Sequence, residues 1–187
     1  MRSIDERMTL EEVAAVVSTN LARHGIRAVL SGGAVVSIYS HNAYESKDLD
    51  FIIEGIAKKE DPAMEQLGFR KESGRYWTHP RTEFWVEFPS GPLQVGNMAV
   101  ESTRVLETSA GALRLLPPTE CVMDRLSAYY HWTDPQSLDQ AVQVAVRQEI
   151  DLQRIEEWSR AEGETGTAGF RTFAERLERE RRDTGSV

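Results

Sequence analysis

Cysteine is almost missing from this chain. Cys121 stands alone, so no internal disulfide can form and the fold must hold by packing. Its setting, Glu120-Cys121-Val122-Met123, reads as a packed helix position with no base beside it, which argues against a catalytic thiol. Long apolar runs are missing too. No segment approaches the roughly twenty apolar residues of a membrane span. The start, Met1-Arg2-Ser3-Ile4-Asp5-Glu6, lacks the apolar region of an export signal, so a cytoplasmic protein with no membrane partner is expected. Nor is there an excess of basic charge: 22 Lys and Arg against 30 Asp and Glu leave a formal net charge of −8. That balance argues against a broad, indiscriminate nucleic-acid surface, although a local basic groove remains compatible with it. His24, His41, His79 and His131 show no i, i+4 pair and no cysteine partner, which points away from zinc. Repeats and low-complexity tracts are absent.

What is present is the composition of an ordinary globular chain, 187 residues with 40% hydrophobic and 28% charged. That length suits one domain, or one domain with a helical appendage. Thr9-Leu10-Glu11-Glu12 has the form of a capping box, and Leu10, Val13, Ala14, Val17 and Leu21 follow at helical spacing, with Gly25 closing the helix before a strand over 26–30. Asp61-Pro62 reads as N-cap and first residue of a short helix ending near Gly68. The segments 69–72 and 76–79 read as two strands joined by a turn at Ser73-Gly74. Further short strands are expected at 93–95, 104–106 and 113–116, with no pairing legible. Pro117-Pro118 marks the change to a helical pattern, dividing the chain into an α/β part, residues 1–116, and a C-terminal helical region, residues 117–187. There Cys121, Met123, Leu126 and Tyr130 form one apolar stripe. Thr133 reads as the cap of a second helix bearing Leu138, Ala141, Val142 and Ala145. Leu152, Ile155 and Trp158 face inward from a third, and Thr165-Gly166-Thr167 separates a last helix over 168–182.

The chemistry concentrates between Leu30 and Ile53. A short apolar run ends at Leu30, Ser31-Gly32-Gly33 breaks it, and Ala34 to Tyr39 reads as a helix. Glycine at the break lets the backbone take φ > 0 and lets an anion such as a triphosphate approach the amides of the helix start. Asp48-Leu49-Asp50-Phe51-Ile52-Ile53 follows as a strand, in which Asp48 and Asp50 point to one face and Leu49 and Phe51 to the other. Two carboxylates that close repel unless a cation neutralises them, and a hard divalent ion with oxygen ligands suits the task. On its own the pair is equally compatible with a solvated strand face. A third acid accompanies it. In Glu83-Phe84-Trp85-Val86-Glu87-Phe88 the alternation puts Glu83, Trp85 and Glu87 on one face, and Glu87, if its strand neighbours the Asp48 strand, joins the same cluster. Glu83 is the alternative.

This order of strand, Gly-Gly, helix, Asp-x-Asp and later acid resembles the DNA polymerase β-like nucleotidyltransferase superfamily. Gly32-Gly33-Ala34 followed by Ser46-Lys47-Asp48-Leu49-Asp50-Phe51 is most similar to its small bacterial AbiEii-type and MNT-type toxin and antitoxin branch. The resemblance covers residues 25 to 90. It implies an α/β (α+β) fold with a mixed sheet flanked by helices and a C-terminal helical region. It also implies that Asp48, Asp50 and Glu87 bind magnesium, as two ions, and carry the catalysis. Ser31, Gly32, Gly33, Ser46 and Lys47 would hold the nucleotide, with Arg125 as a further phosphate contact. The implied reaction moves a nucleoside monophosphate from an NTP, ATP among them, to a hydroxyl on an RNA end, a protein or a small molecule. A cognate toxin or antitoxin protein is the implied partner. Two other readings stand beside it: a non-catalytic binding module that keeps the fold, and a phosphohydrolase using the same carboxylates.

Overall fold

The computed structural model describes residues 2–55, 59–72 and 75–184. Helix α1 (Leu10–Arg23) opens with the capping box: the Thr9 hydroxyl accepts from the Glu12 amide, and the Glu12 carboxylate accepts from the Thr9 amide. Gly25, at φ 70°, then turns the chain into β1 (Ala28–Ser31), whose four residues are all buried. Such a strand must be covered on both faces and belongs at the centre of a sheet. After α2 (Gly32–Tyr39) and its loop come β2 (Asp48–Ile53), α3 (Asp61–Gln66), β3 (Arg70–Lys71), β4 (Tyr76–Thr78) and β5 (Trp85–Glu87). A small hairpin of β6 (Gln94–Val95) and β7 (Met98–Ala99) precedes the longer hairpin of β8 (Arg104–Thr108) and β9 (Gly111–Leu115).

Seven strands form one mixed sheet in the order β3-β4-β5-β2-β1-β9-β8. The pairs β2–β5 and β1–β9 are parallel and the rest antiparallel. Helix α1 packs on β1 and β9, and α2 packs on β1 and β2. From Pro118 the described chain is helical: α4 (Pro118–Trp132), α5 (Pro135–Arg147), α6 (Leu152–Ala161) and α7 (Gly163–Thr184) pack on one another, and α4 and α5 dock against α2. The fold is α/β of the α+β kind, a mixed sheet flanked by helices with helices at the C-terminal end. Among the described residues no helix is long and apolar enough to cross a membrane.

Several local expectations are corrected. Thr165-Gly166-Thr167 does not interrupt a helix; the break lies at Gly163, with φ 86°, and α7 runs through Gly166 and Gly169. Those two glycines serve close packing. A Cβ on Gly166 would stand 2.2 Å from the Ser159 carbonyl oxygen, and one on Gly169 2.3 Å from the Tyr130 ring. Thr133 adopts a left-handed conformation that ends α4, and Asp134 caps α5, its carboxylate accepting from the Gln136 amide. Glu60, not Asp61, occupies the cap position of α3, and Leu152 stays 37% exposed on the first turn of α6. The Ser73-Gly74 turn lies outside the described residues.

Candidate active site

The sheet order brings the acids together. Across β2 and β5 the register pairs Asp48 with Trp85, Leu49 with Val86 and Asp50 with Glu87. Leu49 and Val86, both buried without exposure, anchor the opposite side of this strand pair in the core. Asp48, Asp50 and Glu87 therefore emerge on one face, and each offers a carboxylate oxygen within 4.8 Å of the other two. Glu83, the alternative third acid, instead pairs with Lys47 at 2.6 Å in an exposed ion pair. It lies before β5 begins at Trp85, so strand alternation does not carry it to the cluster.

The glycine turn lies against the same spot. Ser31 pairs in register with Asp50 across β1 and β2, so Gly32, the next residue, is delivered beside the Asp50 side chain. Gly32 has φ 66°, and a Cβ there would stand 2.6 Å from Asp50 Oδ2. Only glycine combines that backbone conformation with that approach. A Cβ on Gly33 would meet Ser46 Oγ at 3.2 Å and the Tyr44 ring at 3.3 Å. Both glycines remain partly exposed, so the turn is not sealed. The N-cap residue of α2, Ser31, makes no side-chain capping bond. Ser31 is buried, with its hydroxyl donating to the Asp50 carbonyl. Ser46 is engaged within the loop, its hydroxyl bridging the backbone of Asp48.

Electrostatics mark the cluster as unsatisfied. Burial, together with the charge of Glu87, pushes the Asp48 carboxyl up to about 6, against the restraining influence of Trp85 and Arg75. Burial again, then Asp48 and Glu87, push Asp50 up to about 7, with Arg125 pulling the other way. Asp48 Oδ1 is shut off from solvent and has no hydrogen-bond partner among the described residues. An all-oxygen donor set of three clustered acids, one of whose oxygens, Asp48 Oδ1, has no partner among the described residues, fits a hard divalent cation of the magnesium type.

Arg125, on α4, is close enough for its charge to act on Asp50, but its guanidinium is held by Asp124 and by Gln140, whose Oε1 accepts at 3.3 Å. Sequence reading missed Arg75. Its Nε lies 2.9 Å from Glu87 Oε2 in an ion pair, just ahead of the antiparallel pairing of Tyr76 with Glu87. No local pattern announces it, because that pairing is a property of the folded sheet.

No family model matches the chain, and no curated protein matches its sequence. Solved structures do. An antigenic nucleotidyltransferase-like protein from Paracoccidioides brasiliensis superposes with a TM-score of 0.56 and 18% identity, over 95% of this chain and 90% of that one. The chain has a nucleotidyltransferase-like fold. The antibiotic-resistance factor ANT(2'')-Ia aligns at a TM-score of 0.47 and 12% identity, over 93% of this chain and 97% of that one.

Proposed function

We propose that this protein is a magnesium-dependent nucleotidyltransferase, moving a nucleoside monophosphate from an NTP to a hydroxyl acceptor with release of pyrophosphate. The observation that carries the reading is the convergence of Asp48, Asp50 and Glu87 within 4.8 Å, beside a glycine turn at the start of α2. Asp48, Asp50 and Glu87 would hold the metal. When bound there, magnesium supplies charge neutralisation for the triphosphate and acidifies the attacking hydroxyl.

The remaining work belongs to the chain. The amides at the start of α2 receive phosphate oxygens, since the helix end carries partial positive charge and its N-cap residue, Ser31, makes no capping bond. Glycine at position 32 keeps that approach open against Asp50. Glu87, or Asp50, accepts the proton of the acceptor hydroxyl. Arg125 contributes positive charge on the α4 side. The likeness of residues 32–34 and 46–51 to AbiEii-type and MNT-type proteins extends the reading to a partner protein from a toxin and antitoxin pair, tested by copurification from its native host.

Incubation with each NTP, magnesium and candidate hydroxyl acceptors should release pyrophosphate, and Asp48→Asn should abolish it. Absence of Mg·NTP binding by calorimetry, together with an Asp48→Asn variant that behaves like the parent, would falsify the proposal. Release of inorganic phosphate instead of pyrophosphate would favour the hydrolase reading.

A further inference from the structure

Arg125 and Arg75 both border the acidic cluster, and they are held differently. Arg125 is mostly buried and tied to Asp124 and Gln140. Arg75 is 63% exposed, yet its ion-pair partner, Glu87, is only 7% exposed. The contact is an ion pair, with Nε 2.9 Å from Glu87 Oε2, on an otherwise largely exposed side chain. Leaving it costs Arg75 little, because water already surrounds the rest of the side chain. Glu87 cannot leave: it sits on a strand between β2 and β4, and a buried carboxylate needs some cation. Arg75 now supplies that cation at Oε2 of a carboxylate that also belongs to the three-acid cluster.

We propose that Arg75 is a resident counter-cation that competes with the divalent metal for Glu87. This inference rests on the metal reading above. When the metal takes the Glu87 carboxylate, the guanidinium is displaced into the mouth of the site. Free protein therefore binds metal weakly, and full loading awaits an incoming polyphosphate that gives the displaced guanidinium a new anion. The opposing role is that of a positioning residue whose ion pair orients Glu87 for the metal. The two roles differ in the sign of one measurement: removing a competitor tightens metal binding, and removing a positioning residue weakens it.

The test is titration of Mn2+ into nucleotide-free protein, followed by electron paramagnetic resonance, for wild type, Arg75→Gln, Arg75→Lys and Asp50→Asn, with folding checked by thermal melts. A unit positive charge a few ångströms from a divalent ion should weaken its binding by at least about tenfold, even with the full screening of water. Arg75→Gln is accordingly expected to bind Mn2+ at least about tenfold tighter than wild type. Arg75→Lys, which keeps the charge, should stay within about threefold of wild type. Unchanged or weaker binding by Arg75→Gln overturns the competition while leaving the metal reading intact, provided wild-type binding depends on Asp50. If neither wild type nor Arg75→Gln binds Mn2+, the metal reading itself fails and the inference with it.

Discussion

Replacing Asp50 by asparagine should make the metal-free protein more stable and its metal response weaker. Asp50 titrates at about 7 in the fold, against an ordinary 3.8, because burial and then Asp48 and Glu87 disfavour its charge. Its folded-state pKa is raised, so between about pH 4 and 7 the native state binds more protons than the unfolded state. Stability then falls as pH rises through that window. The rise from 3.8 to about 7, at about 1.36 kcal/mol for each pH unit, sets an upper bound of about 4 kcal/mol on this loss above pH 7. Asp50 retains some exposure, and solvent screening reduces the expected gain to about 1–2 kcal/mol. For a chain of this size that corresponds to roughly 3–6 °C in Tm. Melting curves of wild type and Asp50→Asn at pH 5 and pH 8, with and without magnesium or manganese, read both effects. At pH 8 without metal the variant should melt higher, and at pH 5 the gap should shrink to roughly a third of that, because most of the loss accrues between pH 5 and 7. Added metal should raise the Tm of wild type and leave the variant nearly unmoved. A variant that melts lower at pH 8, or that keeps the full metal-induced shift, refutes the account of the cluster as mutually repelling metal ligands.

Gly32→Ala should lose most nucleotidyl-transfer activity and cost about 1–2 kcal/mol in denaturant unfolding, since alanine is strained at φ 66° and its Cβ would meet Asp50 Oδ2 at 2.6 Å. Apparent metal affinity, read by calorimetry, should rise between pH 5 and pH 8 as Asp48 and Asp50 deprotonate from values of about 6 and about 7. Leu49→Ala removes a fully buried side chain behind the acids and should cost about 2–5 kcal/mol in urea unfolding. Lys47→Ala, which breaks only an exposed ion pair with Glu83, should change stability by less than about 1 kcal/mol. A large loss of nucleotide affinity in that variant would show that Lys47 leaves Glu83 for the substrate.

The chain's own order of residues determined what depends on neighbours a few positions apart. Thr9 and Glu12 can cap only the helix they precede, Asp48 and Asp50 must share a strand face, and a glycine break before a helix is recognisable wherever it falls. Where local spacing misled, distant packing had decided the outcome. Gly166 looked like a turn, but it and Gly169 fill the gaps where α7 approaches Ser159 and Tyr130, contacts made by residues on other helices. The choice of Glu87 over Glu83 required the parallel pairing of β5 with β2, the approach of Gly32 to Asp50 required β1 beside β2, and the reach of Arg75 to Glu87 required β4 beside β5. Strand pairing is set by burial and hydrogen bonding summed over the whole sheet, so the tertiary structure alone brought three separated acids, two glycines and an arginine to one place.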